Sequence, residues 1–385
     1  MRMINKAEYN NLINHCKTDR QVEILEAVYE HGSNNKAAKA LGAGRRTIDE
    51  GIERIKKAAN VYHSPGFNVK GKSTLFDGEG NVKVEWVKTE RDHEKNELLV
   101  ESIKDVFEDY KGLSKPIKSP KSCKKDLLTI YPMGDPHVGM FSWAEEAGES
   151  FDVKIAEKNL NQAVDILIDD APPSDTALIL NTGDFFHSDS QANMTARAGN
   201  QLDVDSRWAR VLQIGVQIMI RCTQKALTKH RKVIVKNVIG NHDEHTSQVL
   251  AVALNCFFHN NKRVEIDTSP SKFWYYKFGK NLFGATHGDT AKPDKLPGIM
   301  ATDQPKWWGE TEYRYWLTGH IHHDSEKEFP GCKWMAFRTL ATKDAWHTAQ
   351  GYRSQRDMQS ITYHREYGEE SRNRRSIARI KGMMK

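Results

Sequence analysis

Cysteine is scarce in this chain. Its 385 residues include five cysteines, an odd number with no Cys-x-x-Cys pair and no regular spacing. This pattern argues against a disulfide framework and favours a reducing compartment. The five positions are Cys16, Cys123, Cys222, Cys256 and Cys332.

Long apolar runs are also missing. No stretch approaches the roughly 20 apolar residues that a membrane-spanning helix needs. The first residues, Met-Arg-Met-Ile-Asn-Lys, are polar and lack the apolar core of a signal peptide. We therefore expect a cytoplasmic protein with no membrane partner.

Charge is only mildly unbalanced. Lys and Arg number 57 against 51 Asp and Glu, which gives a formal net charge of +6. This excess is compatible with an anionic partner but does not demand one. The length is sufficient for two or three domains with a sizeable core.

Five short polar motifs, spread over almost half of the chain, each follow an apolar, strand-like run. Their residues are Asp, Asn and His, which are metal-ligand types. Functional groups gather at the carboxyl ends of strands in open α/β sheets, so we expect the motifs to meet. The motifs are Asp135-Pro-His137, Gly183-Asp184, Gly240-Asn241-His242-Asp243, His287-Gly288-Asp289 and Gly319-His320-Ile-His322.

The strand-like runs alternate with helical segments, which predicts an α/β layered domain over residues 126–350. The runs are 127–132, 177–180, 233–239, 282–285 and 315–318, and the helical segments are 153–168, 207–230 and 247–259.

In order and wording the motifs resemble those of the calcineurin-like metallophosphoesterases, D-x-H, G-D, G-N-H-[DE], H and G-H-x-H. The resemblance covers roughly residues 128–325. It implies a four-layer αββα sandwich that holds two metal ions at one end of its sheets.

The same resemblance implies seven metal ligands, among which Asp184 would bridge the two ions. Mixed imidazole and carboxylate ligands favour Mn²⁺, with Fe²⁺ and Zn²⁺ as alternatives, and suit Mg²⁺ less well. Two such ions activate water and neutralise charge on phosphoryl oxygens. The other ligands would be Asp135, His137 and His322 for one ion and Asn241, His287 and His320 for the other.

Three further residues are expected to assist catalysis without binding metal. In the family, a His at the position of His242 protonates the leaving oxygen and is held by the Asp that follows it, here Asp243. Imidazole is a suitable general acid near neutral pH. His187 matches a His that acts on the substrate in SbcD-like DNA repair exonucleases. For His187 a structural hydrogen bond is the alternative.

Local differences between branches of the family bear on the substrate. Ser/Thr protein phosphatases carry GDxxDRG and GNHE, whereas this chain has His187, Ser188 and Asp243 at the distinguishing positions. The chain is closer to the SbcD-like group, and as a whole it resembles a phage-encoded phosphoesterase of that type. We predict a nuclease that cuts DNA, with exonuclease character.

Two other functions stay open at this point. One is a small-molecule phosphoesterase that acts on a cyclic nucleotide or a nucleotide pyrophosphate. The other is a DNA-binding regulator with an inactive metal site. A homodimer is also left open, and no segment indicates how an ATPase partner would dock.

Residues 1–62 resemble a helix-turn-helix DNA-binding unit. Three helical segments lie between residues 18 and 60, with Gly42 at the turn between the second and the third. The presumed recognition helix begins with Arg45, Arg46 and Thr47, the positions from which base and phosphate contacts usually come. A three-helix bundle for protein contacts is the alternative interpretation.

The remaining segments complete the predicted organisation. Residues 63–90 predict a β-hairpin or wing, and residues 91–125 an amphipathic helix followed by a basic linker. Residues 351–385 predict a basic, partly disordered tail.

One loop is singled out for substrate contact. Residues 290–313 directly follow a predicted ligand, so we expect them near the metals. There Lys306 could hold phosphate and Trp307 could stack on a base. Packing of the tryptophan against its own loop is the alternative.

Overall fold

The chain forms two units, Met1–Leu99 and Val100–Lys385, and each is described by itself. No helix among the described residues is long and apolar enough to cross a membrane. The predicted amphipathic helix after residue 91 and the hairpin turn at 77–80 fall outside the described residues. The computed structural model describes residues 6–16, 18–59, 67–76, 82–91, 112–195 and 199–383.

The first unit begins with short helices around a small apolar core. Leu25, Ile48 and Ile55 are buried in that core. Thr18 caps the second helix by accepting a hydrogen bond from the backbone N–H of Gln21, which satisfies one of its free donors. The three predicted helices are confirmed, and a helix that was not predicted precedes them. The bounds are Lys6–Ile13 (α1, not predicted), Asp19–His31 (α2), Asn34–Ala40 (α3) and Arg45–Ala59 (α4).

Two strands follow the helices in the same unit. Phe67–Phe76 (β1) pairs antiparallel with Val82–Arg91 (β2), as the alternating sequence predicts. The register shifts between Val69 and Gly71, so the hairpin contains an irregularity.

The second unit contains two sheets. Among its described residues, one sheet has the strand order β13-β12-β3-β4-β5-β6 and the other β10-β11-β9-β8-β7. The strands are β3 (Lys124–Met133), β4 (Ser174–Asn181), β5 (Lys232–Asn237), β6 (Val264–Asp267), β7 (Trp274–Phe278), β8 (Asn281–Ala285), β9 (Tyr313–Thr318), β10 (Ser325–Phe329), β11 (Cys332–Ala336), β12 (Asp357–His364) and β13 (Gly368–Ser376).

Helices of the second unit cover the outer faces of both sheets. A 3₁₀ turn, Pro293–Lys295, precedes the helices that lie on the smaller sheet. The α-helices are α5 (Ala144–Ala147), α6 (Val153–Asp170), α7 (Trp208–Lys229), α8 (Thr246–Phe257), α9 (Leu296–Asp303), α10 (Pro305–Glu310), α11 (Ala345–Ala349) and α12 (Ile377–Gly382).

Three apolar layers hold the sandwich together. Ile130 and Leu180 of the larger sheet meet Phe283 and Leu317 of the smaller one in the central layer. A second layer lies between the larger sheet and helices α6, α7 and α8. The third lies between the smaller sheet and helices α9 and α10. This αββα arrangement confirms the predicted fold class.

The segment after residue 350 is not a tail, and that part of the sequence prediction is wrong. Strand β12 pairs antiparallel with β3, and β13 lies at the sheet edge beyond it. Ile361 and Tyr363 of β12 are buried in the central apolar layer. Of the basic residues that suggested disorder, Arg372, Arg374 and Arg375 lie on the edge strand β13, where charged side chains discourage pairing with another chain, and Arg379 and Lys381 lie on α12.

Parallel pairing brings the predicted site residues to one end of the sandwich. Strands β3, β4 and β5 run parallel in the larger sheet, and β8 and β9 run parallel in the smaller one. All five strands were expected from the apolar runs, and all five are present. Each of the five motifs therefore follows the carboxyl end of its strand.

Candidate metal centre

The structure brings the predicted ligands from all five motifs together. Among the described residues, three groups of three have their potential ligand atoms within 4.8 Å of one another. Two of them combine residues from both sheets: Asp135, His137 and His322 form the first, and Asp184, His287 and His320 form the second. The third group is His137, His187 and His242, all of which follow strands of the larger sheet.

The backbone of the site is unusual at most of these positions. Five of the seven predicted ligands have positive φ angles, between 45° and 69°, in the left-handed region that non-glycine residues rarely adopt. Such conformations cost free energy and concentrate at functional sites. The five are Asp135, His137, Asp184, His320 and His322.

Two motif glycines allow the ligands to approach closely. A Cβ atom at Gly240 would lie 2.0 Å from Oδ1 of Asp184, and one at Gly319 would lie 2.5 Å from Oδ2 of Asp135. A larger residue at either position would displace the carboxylate. Here glycine is required by the space beside it rather than by its own φ angle.

In the first group, Asp135 anchors the others. Both of its carboxylate oxygens accept from the backbone N–H of His320, at 2.9 and 3.0 Å. Nε2 of His322 lies 3.5 Å from Oδ1 of Asp135 and 3.1 Å from Nε2 of His137. Burial opposes protonation of His322, yet nearby Asp135 raises its pKa. Burial holds the pKa of His137 well below its usual range.

In the second group, His287 has a defined orientation. Its Nδ1 donates to the backbone carbonyl of Thr182 at 3.0 Å. Its Nε2 lies 2.9 Å from Oδ1 of Asn241 and 3.1 Å from Oδ2 of Asp184. Burial lowers the pKa of His287, but the nearby carboxylate of Asp184 outweighs this effect and raises the pKa to about 10.

This geometry fits a bound cation. With Nδ1 of His287 already donating, a neutral ring would point the Nε2 lone pair at two oxygen atoms, those of Asn241 and Asp184. The arrangement therefore needs positive charge between the nitrogen and the oxygens, either a proton or a metal ion. Mixed imidazole, amide and carboxylate donors match the preferences of Mn²⁺, Fe²⁺ and Zn²⁺. The metal-ligand roles stay a prediction that the geometry supports.

His242 lies beside both groups but is held in a way the sequence did not predict. Its Nδ1 donates to the backbone carbonyl of His187 at 2.8 Å, and its backbone N–H donates to Oδ1 of Asp184 at 2.8 Å. Its ring centre is 4.9 Å from that of His137. The Nε2 atom is the nitrogen left for other partners.

The prediction that Asp243 holds His242 is wrong. Oδ1 of Asp243 accepts from the backbone N–H of Gly240, and Oδ2 accepts from that of Phe186, each at 3.1 Å. The buried carboxyl therefore ties two motif loops together and does not reach the His242 ring. Burial, together with nearby Asp184, raises its pKa to about 8.

His187 lies behind the first ligand group. It is buried, and its Nδ1 is 3.2 Å from Nδ1 of His137. Its Nε2 has no hydrogen-bond partner among the described residues. Burial and nearby His242 lower the pKa of His187 to about 3. These contacts suit a residue that positions His137 and, through its carbonyl, His242.

Asp344 and His347, which the sequence did not single out, lie between β11 and β12 at helix α11. Nδ1 of His347 lies 2.7 Å from Oδ1 of Asp344, and its ring stacks on that of His322 with centres 5.0 Å apart. Trp346 and Tyr352 both contact the His347 ring. The signal was present as an Asp-x-x-His pair with neighbouring aromatics, but no recognised motif includes it.

The predicted DNA contacts of the first unit are accessible. Arg45, Arg46 and Thr47 begin helix α4 and are exposed. Arg45 pairs with Asp49 at 3.4 Å, and Arg46 pairs with Glu50 at 2.9 Å. Exposed pairs of this kind contribute little stability, so both arginines can exchange partners at low cost. Binding of DNA by these residues stays a prediction.

The expectation that Lys306 and Trp307 lie beside the metals is wrong. Both belong to α10, and Trp307 packs into the apolar layer on the outer face of the smaller sheet. The neighbouring Trp308 lies under Arg314, which follows the start of β9, whereas the metal-site motif follows its other end. The apolar faces of these tryptophans are used in packing.

Comparison with known proteins gives little beyond this geometry. No protein-family model matches the chain, and no curated protein matches it. Solved structures that match include a predicted phosphoesterase from Streptococcus pneumoniae, with 10% identity, a TM-score of 0.26, and 66% of this chain and 99% of that one covered.

Two further solved structures are similar at the same level. Vps29 complexed with zinc, from Entamoeba histolytica, has 14% identity and a TM-score of 0.27, with 65% of this chain and 99% of that one covered. A 5′-nucleotidase precursor from Thermus thermophilus has 11% identity and a TM-score of 0.31, with 65% of this chain and 54% of that one covered. These scores are too low to support a functional conclusion, which depends on the site itself.

Proposed function

We propose that this protein is a two-metal phosphodiesterase that hydrolyses DNA. The observation that carries the proposal is the convergence of two three-residue groups, drawn from four strand ends, at one end of the sandwich, with Asn241 of the fifth motif 2.9 Å from His287. The motifs predict seven ligands, and six of them make up these two groups. Their strained backbone supports a functional role, because strain of this kind needs a compensating benefit.

Asp184 is the residue that joins the two halves of the site. Its Oδ2 faces His287 of the second group, and its Oδ1 accepts from the backbone of His242, whose ring contacts His137 of the first group. A carboxylate in this position suits a bridging ligand. Bound divalent cations would supply charge neutralisation on the phosphoryl oxygens and lower the pKa of a water molecule.

His242 is proposed as the proton donor to the leaving oxygen. The carbonyl of His187 accepts from Nδ1, so the ring is fixed with Nε2 as its free nitrogen. Fixing one nitrogen in this way orients the other for proton transfer.

DNA is the substrate that the chain as a whole favours. The helices of the first unit present exposed Arg45 and Arg46 at the start of α4, where a helix-turn-helix unit contacts DNA. The second unit lacks the Arg after the Gly-Asp motif that protein phosphatases carry, since Ser188 stands there. A DNA-binding unit on the same chain as a phosphodiesterase favours a nuclease.

The test measures hydrolysis of labelled single-stranded DNA, double-stranded DNA and bis-p-nitrophenyl phosphate by the full chain with Mn²⁺. We expect cleavage of DNA and of the small diester. Cleavage of the diester with both DNA substrates intact would favour the small-molecule phosphoesterase. Tight DNA binding without any hydrolysis would favour the regulator with an inactive site.

Asp184→Asn is the matched variant for the metal centre. The amide keeps the size of the side chain but removes its charge, so we expect both metals to bind more weakly together and hydrolysis to fall. Metal content measured by mass spectrometry distinguishes the outcomes. Two ions retained at full occupancy would contradict the bridging role.

A further inference from the structure

Exposed aromatic side chains surround one side of the candidate metal centre. Among the described residues, eight large hydrophobic side chains are exposed, and half of them lie on two loops that adjoin the site. These four form what we term the aromatic rim. They are Phe141 and Trp143, 43% and 57% exposed, and Trp346 and Tyr352, 58% and 39% exposed.

Hydrogen bonds tie the two loops of the aromatic rim together. The hydroxyl of Ser142 donates to the backbone carbonyl of Lys343 at 2.9 Å. Nζ of Lys343 donates to the carbonyl of Ala147 at 2.8 Å. Arg356 and Lys381 both pair with Glu149 beside these loops. These contacts hold the two segments that carry the aromatic rim in a fixed position relative to each other.

One ring separates Trp346 from a predicted metal ligand. The Trp346 and His347 ring centres are 5.0 Å apart, and His347 stacks on His322 at 5.0 Å with an angle of 22°. Asp344 fixes this arrangement because Oδ1 accepts from both the backbone N–H and Nδ1 of His347, each at 2.7 Å. Two successive ring contacts, each with centres 5.0 Å apart, therefore connect Trp346 to the predicted ligand His322.

We propose that the aromatic rim, and Trp346 above all, stacks on the bases of the nucleic-acid substrate whose phosphodiester lies at the metal centre. This inference rests on the proposed function. Exposed apolar side chains that cluster, as Trp346 and Tyr352 do with ring centres 6.0 Å apart, mark interaction sites. Aromatic side chains stack on any base, which gives binding without sequence preference.

The charge near the rim favours a nucleic acid over a protein partner. Lys343 and Arg356 line a pocket that extends from His322 to Tyr352. Arg356 is paired with Glu149, whereas Lys343 contacts a carbonyl oxygen and pairs with no described carboxylate, so Lys343 is the cationic group that faces a ligand there. A single-stranded nucleic acid carries phosphates, which the pocket could hold, and flat bases, which the aromatic rim could stack on. The rim also supplies the base contact that was expected, wrongly, of Trp307.

The test uses the full chain without metal, so that binding is measured in the absence of hydrolysis. The probes are a short fluorescein-labelled oligothymidylate and an abasic oligonucleotide of the same length. We expect Trp346→Ala to weaken binding of the oligothymidylate by roughly tenfold to a hundredfold, the loss of one stacked base, with binding of the abasic strand unchanged. Trp346→Phe should restore most of the affinity.

Tyr367→Ala is the matched control. Tyr367 is 71% exposed and lies in the turn between β12 and β13, at the end of the sheet remote from the metal centre. We expect this variant to bind both probes as the original protein does. Equal loss of both probes in Trp346→Ala, or no loss of either, would overturn the proposal.

Failure of this inference can be separated from failure of the proposed function. If the original protein hydrolyses DNA with Mn²⁺ but Trp346→Ala binds oligothymidylate normally, only the stacking role is wrong. If the original protein hydrolyses no diester, the proposed function fails whatever the binding result. Trp143→Ala provides a second variant should Trp346→Ala not fold.

Discussion

The imidazole of His242 is held by the main chain of His187, with Nδ1 2.8 Å from the carbonyl oxygen. A backbone acceptor cannot be removed by substituting its side chain, so the orientation of His242 depends on the shape of the loop. The buried side chain of Asp243 helps to hold that loop in place, because its Oδ2 accepts from the backbone N–H of Phe186.

His242→Ala is expected to abolish most turnover. Loss of a positioned general acid typically lowers the rate by about 10²–10⁴-fold. Metal content should stay near that of the original protein, since His242 is not among the predicted ligands. Measuring kcat on bis-p-nitrophenyl phosphate alongside bound metal checks both statements, and loss of metal from the variant would refute the assigned role.

Asp243→Asn is expected to destabilise the protein. The amide oxygen can replace one of the two acceptors for the backbone N–H groups of Gly240 and Phe186, but its NH₂ group cannot replace the other. A buried donor left unpaired costs about 1–3 kcal/mol. The free energy of unfolding in urea measures this effect. A variant with unchanged stability but reduced kcat would instead support a direct role toward His242.

Gly240→Ala is expected to lose metal. The added Cβ would lie 2.0 Å from Oδ1 of Asp184 and 2.2 Å from its backbone nitrogen, so the carboxylate must move. The control is Gly309→Ala, where an added Cβ meets nothing within 4 Å. We expect a large fall in bound metal in the first variant alone. Equal metal content in both would show that the site tolerates the displacement.

His230 is expected to make the folded state sensitive to acid. It is buried, with Nδ1 donating to the carbonyl of Ser174 and Nε2 accepting from the hydroxyl of Tyr131. Burial lowers its pKa from 6.5 to about 4. Above pH 6.5 both the folded and the unfolded states hold it neutral, so its contribution is complete. Between pH 6.5 and pH 4 only the unfolded state takes up the proton, and stability falls.

That loss should amount to roughly 3 kcal/mol at pH 4. Urea unfolding at a series of pH values, with chelator present, measures it. His230→Gln removes the titrating group, so the variant should lose less stability than the original protein over this range. His259→Gln serves as control because His259 is exposed. Identical pH dependence in all three proteins would contradict the assignment.

The fold and the convergence of the five motifs could be predicted because they depend on local patterns. Apolar runs that end in Asp, Asn or His located β3, β4, β5, β8 and β9, and parallel pairing then determined where those ends meet. A charged strand at a sheet edge has no such pattern. This is why β13 looked like a tail, although β12 contributes buried Ile361 and Tyr363.

The supporting contacts were harder to predict because they depend on the main chain. Nothing in the order of residues shows that His242 meets a carbonyl rather than Asp243. Nor does it show that His347, more than 20 residues after His322, returns to stack on it. Trp307 and Trp346 are the same residue type near predicted ligands in sequence, and only the fold separates the packed one from the exposed one.

The pairing of β12 with β3 has a consequence for the order of events during synthesis. Strand β3 leads directly into Asp135 and His137, yet one of its two neighbours in the sheet is β12, which begins more than 220 residues later. Until β12 has been synthesised, β3 has an open side and the sandwich is unfinished. A growing polypeptide can therefore complete the sheet that positions the predicted ligands only after β12 has left the ribosome.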